Sequence, residues 1–132
     1  SVAIPQYQTY IARTDAATTV TSGIRPLQNA IAEFNATYGT LPASFTSLVE
    51  VSYVDGADAA YTGATNAAPG TSAIDWDGSV ITVTFDHANQ ALDDKTLEIT
   101  VGLSANGVSS FSIADPQTAS TALERKYWPK IK

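Results

Sequence analysis

The sequence predicts an α+β fold in which a long N-terminal helix packs on an antiparallel β-meander of three to four strands. Two patterns support this prediction. Apolar residues recur every three or four positions up to Tyr38, and three later segments carry apolar residues at every second position. A chain of 132 residues is the size of one domain with one core, so we treat residues 1–132 as a single domain.

The first predicted element is a kinked helix over residues 1–38, ended by Gly39. Its apolar stripe is formed by Ala17, Val20, Ile24, Leu27, Ile31, Phe34 and Tyr38. Gly23 and Pro26 predict the kink, because proline has no N–H to donate to the preceding turn. Residues 13–22 are small and polar, with little to pack against a sheet, so we expect the first part of the helix to protrude from the domain.

A long αβ-loop region is predicted over residues 39–78, with a short helix around residues 44–51. Residues 55–73 contain seven alanines and three glycines, and Tyr61 is their only large side chain. Such a segment cannot form a core by itself. Long connections in compact domains usually have a binding or interface role, and we expect one here.

The sheet is predicted over residues 79–114, and a C-terminal segment follows over residues 115–132. The apolar face of the sheet is formed by Ile81, Val83, Phe85, Leu97, Ile99, Val101, Leu103, Phe111 and Ile113. Threonine and serine occupy most of the alternate positions. The pair Asn106-Gly107 suits a tight hairpin turn between the last two strands.

The sequence offers little catalytic chemistry, and we predict no enzyme, no catalytic residue and no cofactor. The only histidine, His87, follows Asp86 at a strand end, and no nucleophile-elbow motif occurs. Asp93 and Asp94 are adjacent in a polar turn, where both carboxylates normally face water. A catalytic pair of carboxylates is therefore not expected.

Calcium binding is a stronger candidate than catalysis, because residues 55–58 and 75–78 place aspartates beside turn glycines. Neither segment has a full calcium-binding loop, so ordinary Asx turns are favoured and no metal is predicted. Trp76 and Tyr61 could stack on a sugar, although core packing is the commoner role of such aromatics. Asn35-Ala36-Thr37 matches a glycosylation acceptor, but it lies inside the predicted helix.

Charge is distributed unevenly along the chain. Arg125, Lys126, Lys130 and Lys132 give the last eight residues a formal charge of +4, and since the whole chain carries −6, the preceding residues carry −10. Four charges without a stacking platform make a poor nucleic-acid site, so nucleic acid is not expected to bind the single subunit. Unlike patches on neighbouring copies would attract one another instead.

Two short motifs resemble those of type IV pilins. Residues 3–13, Ala-Ile-Pro-Gln-Tyr-Gln-Thr-Tyr-Ile-Ala-Arg, are similar to the pilin segment that follows the membrane-spanning stretch. Residues 126–130, Lys-Tyr-Trp-Pro-Lys, resemble the closing Lys-Tyr-Leu-Pro type of ending. The order of long helix, long loop, meander and C-terminal segment is also that of the family.

The resemblance implies a structural subunit of a bacterial type IV pilus, an extracellular filament that serves cell adhesion and twitching motility. It implies that an apolar half-helix with a methylated N-terminus is missing here, and that this half-helix anchors the subunit in the inner membrane before assembly. The implied partners are other copies in a helical filament, the inner-membrane assembly machinery, and host or abiotic surfaces.

The resemblance also implies site residues. The implied filament interface consists of Ile4, Pro5, Tyr7, Tyr10, Ile11 and Arg13. Many pilins close their C-terminal region with a disulfide, but this chain has no cysteine, so Tyr127, Trp128 and Pro129 are expected to hold the tail by packing and hydrogen bonds.

Two other functions fit the same sequence. A pseudopilin of a type II secretion system shares the helix-on-sheet plan, and calcium bound near the C-terminal loops would favour it. A carbohydrate-binding surface domain is the alternative from another class, and stabilisation of the monomer by a sugar would favour that function.

Overall fold

The fold, taken from a computed structural model, is described for residues 3–51, 60–62, 70–104 and 107–129, without the side chains of residues 3–8 and 60–62. The elements are α1 (Ala3–Tyr38), α2 (Phe45–Glu50), β1 (Ala60–Thr62), β2 (Thr71–Trp76), β3 (Val80–Phe85), β4 (Thr96–Leu103), β5 (Ser109–Ile113) and the 3-10 helix η1 (Arg125–Tyr127). The strands form one antiparallel sheet in the order β1-β2-β3-β4-β5. The predicted α+β class, with an N-terminal helix packed on an antiparallel sheet, is confirmed.

One hydrophobic core joins α1 to the sheet. From α1 the core takes Ala12, Ala16, Val20, Ile24, Leu27, Ala30 and Ile31, and from β2, β3 and β4 it takes Ile74, Trp76, Ile81, Val83, Phe85, Leu97, Ile99 and Val101. In β3 and β4 buried and less buried residues alternate as the sequence predicts. A helix with one buried stripe therefore covers the apolar face of a half-buried sheet.

The helix α1 runs without interruption through Gly23 and Pro26. It ends at Gly39, whose backbone φ of +77° is open to glycine at no steric cost and whose N–H donates to the carbonyl of Asn35 at 2.8 Å. The described helix thus has 36 residues, about 54 Å at 1.5 Å per residue.

The expectation that residues 13–22 have little to pack against is wrong. Ala16 and Val20 are completely buried, and so is Ala12 one turn earlier. Thr19 is nearly buried. Small side chains allow close approach of the helix backbone to its neighbours, so this stretch packs without bulky apolar residues. The first part of α1 is therefore covered on one face by its own domain from residue 12 onward.

The loop region predicted over residues 39–78 contains two strands that were not predicted, β1 and β2. The strand β2 pairs with β3 from Thr71 to Trp76, and its Ile74 and Trp76 enter the core. The short helix predicted around residues 44–51 is present as α2, which buries Phe45 and Leu48.

The C-terminal segment covers one edge of β4. Ala122 forms a parallel bridge with Thr96, and the side chain of Gln117 bonds to both backbone groups of Glu98, at 2.8 Å to its N–H and 3.0 Å to its carbonyl. The Glu98 carboxylate in turn accepts hydrogen bonds from Thr118 and from the N–H of Ala119. A backbone bridge and side-chain hydrogen bonds together thus take the place of a strand where β5 no longer pairs.

These bonds give the fold a pH dependence. Hydrogen bonds from the backbone and hydroxyl of Thr118 hold the pKa of Glu98 below its ordinary value of 4.5, although partial burial opposes them. A depressed folded-state pKa stabilises the fold above the unfolded value, and this stabilisation is lost as pH falls through the folded value. Stability should therefore decline from about pH 4.5 downward.

We expect Glu98→Gln to reduce this decline, because the amide does not titrate. Melting temperatures measured between about pH 5 and about pH 3 should fall less steeply for Glu98→Gln than for the parent chain. Glu50→Gln, which changes an exposed glutamate at the end of α2, is the matched control and should leave the slope unchanged. Equal slopes for all three proteins would contradict the prediction.

Candidate assembly surface

The N-terminal end of α1 exposes two adjacent large side chains. Tyr10 is 69% exposed and Ile11 is 51% exposed, whereas Ala12 beside them is buried. Ile4, Pro5 and Tyr7 belong to the same helix, but their side chains lie outside the described residues. Of the six residues that the resemblance assigns to a filament interface, the structure therefore describes an exposed apolar pair and Arg13.

Arg13 contacts the chain's own C-terminal segment. Its Nε and Nη2 both donate to the backbone carbonyl of Lys126, at 3.1 and 2.8 Å. This paired contact links α1 to η1, whose residues pack against the same part of the helix. Arg13 thereby positions the C-terminal segment beside the exposed pair.

Asp15 holds a different segment on the other side of the helix. Its Oδ2 accepts a hydrogen bond from Nδ2 of Asn89, at 3.2 Å, in the turn that joins β3 to β4. Residues 13 and 15 project about 200° apart around an α-helix. The N-terminal half of α1 therefore lies between the C-terminal segment and the β3–β4 turn.

A shallow groove of about 340 Å³ opens where these segments meet. It is lined by Ile11, Asn89, Gln90, Ala91 and Tyr127. The sequence singled out Ile11 and Tyr127 but missed the three residues of the β3–β4 turn. Nothing in their local pattern marks them, because only the tertiary fold brings them beside the helix.

The C-terminal segment is fastened by aromatic and polar contacts. Trp128 donates from Nε1 to the carbonyl of Leu123 at 3.0 Å, and the Arg125 guanidinium lies 4.7 Å from the centroid of the Trp128 ring. Tyr127 and Trp128 pack against the core, and Pro129 is buried. The segment is thus held by packing and hydrogen bonds in a chain that has no cysteine.

Three residues that the sequence offers for catalysis or metal binding, His87, Asp93 and Asp77, have structural partners. Nδ1 of His87 accepts a hydrogen bond from the backbone N–H of Asn89, and the backbone N–H of His87 donates to Oδ1 of Asp93, as is common in turns. Among the described residues, no group of three or more histidines or carboxylates could hold a metal ion. Residues 55–58, the other segment for which the sequence predicts an Asx turn, lie outside the described residues.

Asp77 forms the Asx turn that the sequence favours at residues 75–78. Its Oδ1 accepts from the N–H of Ser79 at 2.9 Å and from the N–H of Val80 at 2.8 Å. Desolvation raises the pKa of Asp77, but the hydrogen bonds from these two residues outweigh it and lower the pKa below its ordinary value. The carboxylate thus stabilises the β2–β3 turn.

Two other surface functions considered from the sequence are not supported. Trp76 is only 2% exposed, and its Nε1 donates to the carbonyl of Pro42 at 2.9 Å, so its ring cannot stack on a sugar. Asn35 is buried, and its Nδ2 donates to the carbonyl of Gly107 at 2.6 Å, which leaves no room for a glycan. The side chain of Tyr61 lies outside the described residues.

No protein-family model matches the chain, and the search of curated proteins likewise finds no match. Within the described ranges, neither α-helix combines the length and apolar character needed to cross a bilayer.

Proposed function

We propose that this chain is the head domain of a type IV pilin, a structural subunit that assembles with copies of itself into a bacterial surface filament. The observation that carries the proposal is the exposed pair Tyr10 and Ile11 on a 36-residue helix whose other face is buried in its own domain. The motif at residues 3–13 and the motif at residues 126–130 support the same conclusion.

Burial of the exposed pair, Tyr10 and Ile11, against a neighbouring copy would stabilise an assembled state. Burial of apolar surface yields about 25 cal/mol per Å², so enclosing a tyrosine and an isoleucine contributes about 2–4 kcal/mol to association for each copy. Tyr10 and Ile11 project about 100° apart, and the exposed Thr14 lies between them on the outward face of the helix, so a partner surface that wraps this face can cover both. A helical filament repeats such a contact along its whole length.

The proposed function places the chain at the cell surface after assembly. Its partners are then other copies of the subunit, the inner-membrane assembly machinery, and host or abiotic surfaces that the filament contacts during adhesion and twitching motility. No catalytic role is part of the proposal.

The test uses the gene at its natural length in the bacterium that carries it. Filaments sheared from the cells should contain this chain as a main component, identified by mass spectrometry. Ile11→Asp should reduce filament yield about tenfold, because a buried carboxylate without a partner costs more than the 1.4 kcal/mol that corresponds to tenfold.

Ser112→Asp, at an exposed position of β5, is the matched control and should leave the yield unchanged. Both purified head domains should melt within about 2 °C of the parent, since both changes are at exposed sites. Absence of the chain from the filaments, or a normal yield with Ile11→Asp, would refute the proposal.

The two alternatives have their own readout. A melting shift of the head domain with calcium would favour a pseudopilin, and a shift with one member of a glycan panel would favour a carbohydrate-binding domain. We expect neither calcium nor the glycans to shift the melting temperature.

A further inference from the structure

The two segments on either side of α1 carry opposite charges on their exposed side chains. We call Arg125 and Lys126 of η1 the tail flank. We call Asp86, Asp93 and Asp94 of the β3–β4 turn the turn flank; Asp86 and Asp94 are exposed, whereas Asp93 is half-buried and accepts a hydrogen bond from the backbone N–H of His87. Arg13 and Asp15 fix these two flanks on opposite sides of the buried stripe.

Each cation of the tail flank already has an acidic partner within its own chain. On the tail flank, Arg125 pairs with Asp115 at 2.5 Å and Lys126 with Glu124 at 3.4 Å. Arg125 and Lys126 also lie over the rings of Trp128 and Tyr127. All four charged side chains are about half exposed or more, and exposed ion pairs contribute about 0–1 kcal/mol, so either cation can exchange its acidic partner at little cost. On the turn flank, Lys95 offsets one of the three aspartates.

We propose that the tail flank of one copy docks on the turn flank of a second copy of this chain. The occupant is another copy because the charges complement each other within the same sequence, +4 in the last eight residues against −10 in the remainder. The contact joins two different surfaces and is therefore heterologous, which is the kind that repeats without limit in a filament. The inference rests on the proposed function and specifies the neighbour's contact surface.

The exposed apolar pair supports this arrangement. Viewed along the helix axis, the outward arc of α1 runs from Arg13 through Tyr10 and Ile11 to Asp15. The exposed pair therefore lies between the two flanks. The groove that Ile11 lines also borders both the β3–β4 turn and Tyr127. A copy that docks on either flank would therefore extend the contact onto this apolar surface.

The first experiment is zero-length cross-linking with a carbodiimide, applied to sheared filaments assembled from a mixture of ordinary and ¹⁵N-labelled chains. Mixed-isotope peptides should join Lys126 to Asp86 or Asp94, and the isotopes distinguish these links from links within one copy. Filaments that contain the chain but yield no such mixed peptide would overturn the inference while leaving the proposed function intact.

The second experiment is a charge swap. The tail variant Arg125→Glu with Lys126→Glu and the turn variant Asp86→Lys with Asp94→Asn should each reduce filament yield about tenfold. Asn is chosen because Asp94 has a φ of +62°, which asparagine tolerates. Combining both changes in one chain should restore the yield to within about twofold, since the neighbours again carry opposite charges.

Normal filament yield with either variant would overturn the docking assignment. Failure of the combined variant, while its purified head domain melts like the parent, would overturn it as well. If the filaments prove to be built from another protein, the proposed function fails, and the same mixed-isotope cross-linking on the concentrated head domain still decides whether copies dock through these flanks.

Discussion

Replacement of Trp76 by alanine is expected to lower the free energy of unfolding by about 3–5 kcal/mol. The ring is 2% exposed at the end of β2, where it belongs to the core cluster with Ile74 and Ile81. Removal of a buried indole leaves a cavity and also leaves the carbonyl of Pro42 without its donor. Urea denaturation followed by circular dichroism measures the loss.

Two further variants separate the causes of that loss. Trp76→Phe keeps most of the ring volume but removes the Nε1 donor, so we expect a smaller loss of about 1–2 kcal/mol. Trp128→Ala, at a half-buried position of the C-terminal segment, should also cost less than Trp76→Ala. A loss below about 1.5 kcal/mol for Trp76→Ala would show that this tryptophan does not anchor β2.

The elements that the sequence predicts well are those with a strict period. In α1 the stripe through Ile24, Leu27 and Ile31 is buried as its spacing indicates, and in β3 the alternation of Ile81 and Val83 with threonines predicts the buried face. Each of these elements buries one face and leaves the other accessible. The spacing of its apolar residues therefore predicts which face is buried.

The strand β2 could not be predicted, because its apolar residues do not alternate regularly with polar ones. Ser72, Ala73 and Asp75 dilute the alternation, and only Ile74 and Trp76 are large and apolar. The extended conformation of β2 is stabilised by backbone pairing with β3, which its own sequence does not reveal. The buried start of α1 was missed for a similar reason, since alanines such as Ala12 and Ala16 give no hydrophobic stripe of their own.

The candidate assembly surface could be predicted only in part. Tyr10 and Ile11 could be identified because they belong to the motif at residues 3–13. Asn89 and Gln90 could not, since they reach Ile11 only through the path of β3. The contact of Arg13 with the carbonyl of Lys126 spans 113 residues and leaves no pattern in the sequence.

The second large effect is expected at Gly78, where we predict that alanine lowers the free energy of unfolding by about 2–5 kcal/mol. The backbone φ of this residue is +107°, a conformation that L side chains rarely adopt, and a Cβ here would lie 2.6 Å from the carbonyl oxygen of Ala43. The obstruction is backbone, which cannot rotate away as a side chain can. The turn that Asp77 closes would have to shift, and Trp76 next to it would be displaced. Chemical denaturation measures the effect.

Gly39→Ala separates backbone strain from the steric clash. Gly39 also has a positive φ, +77°, but a Cβ at this position meets nothing within 4 Å. Its replacement should therefore cost only the strain of a left-handed residue, about 1–2 kcal/mol. If the two variants lost equal stability, the close approach of Gly78 to Ala43 would not be a constraint. The α1–α2 connection would then pack more loosely against the β2–β3 turn than the 2.6 Å between a Cβ at residue 78 and the Ala43 carbonyl oxygen requires.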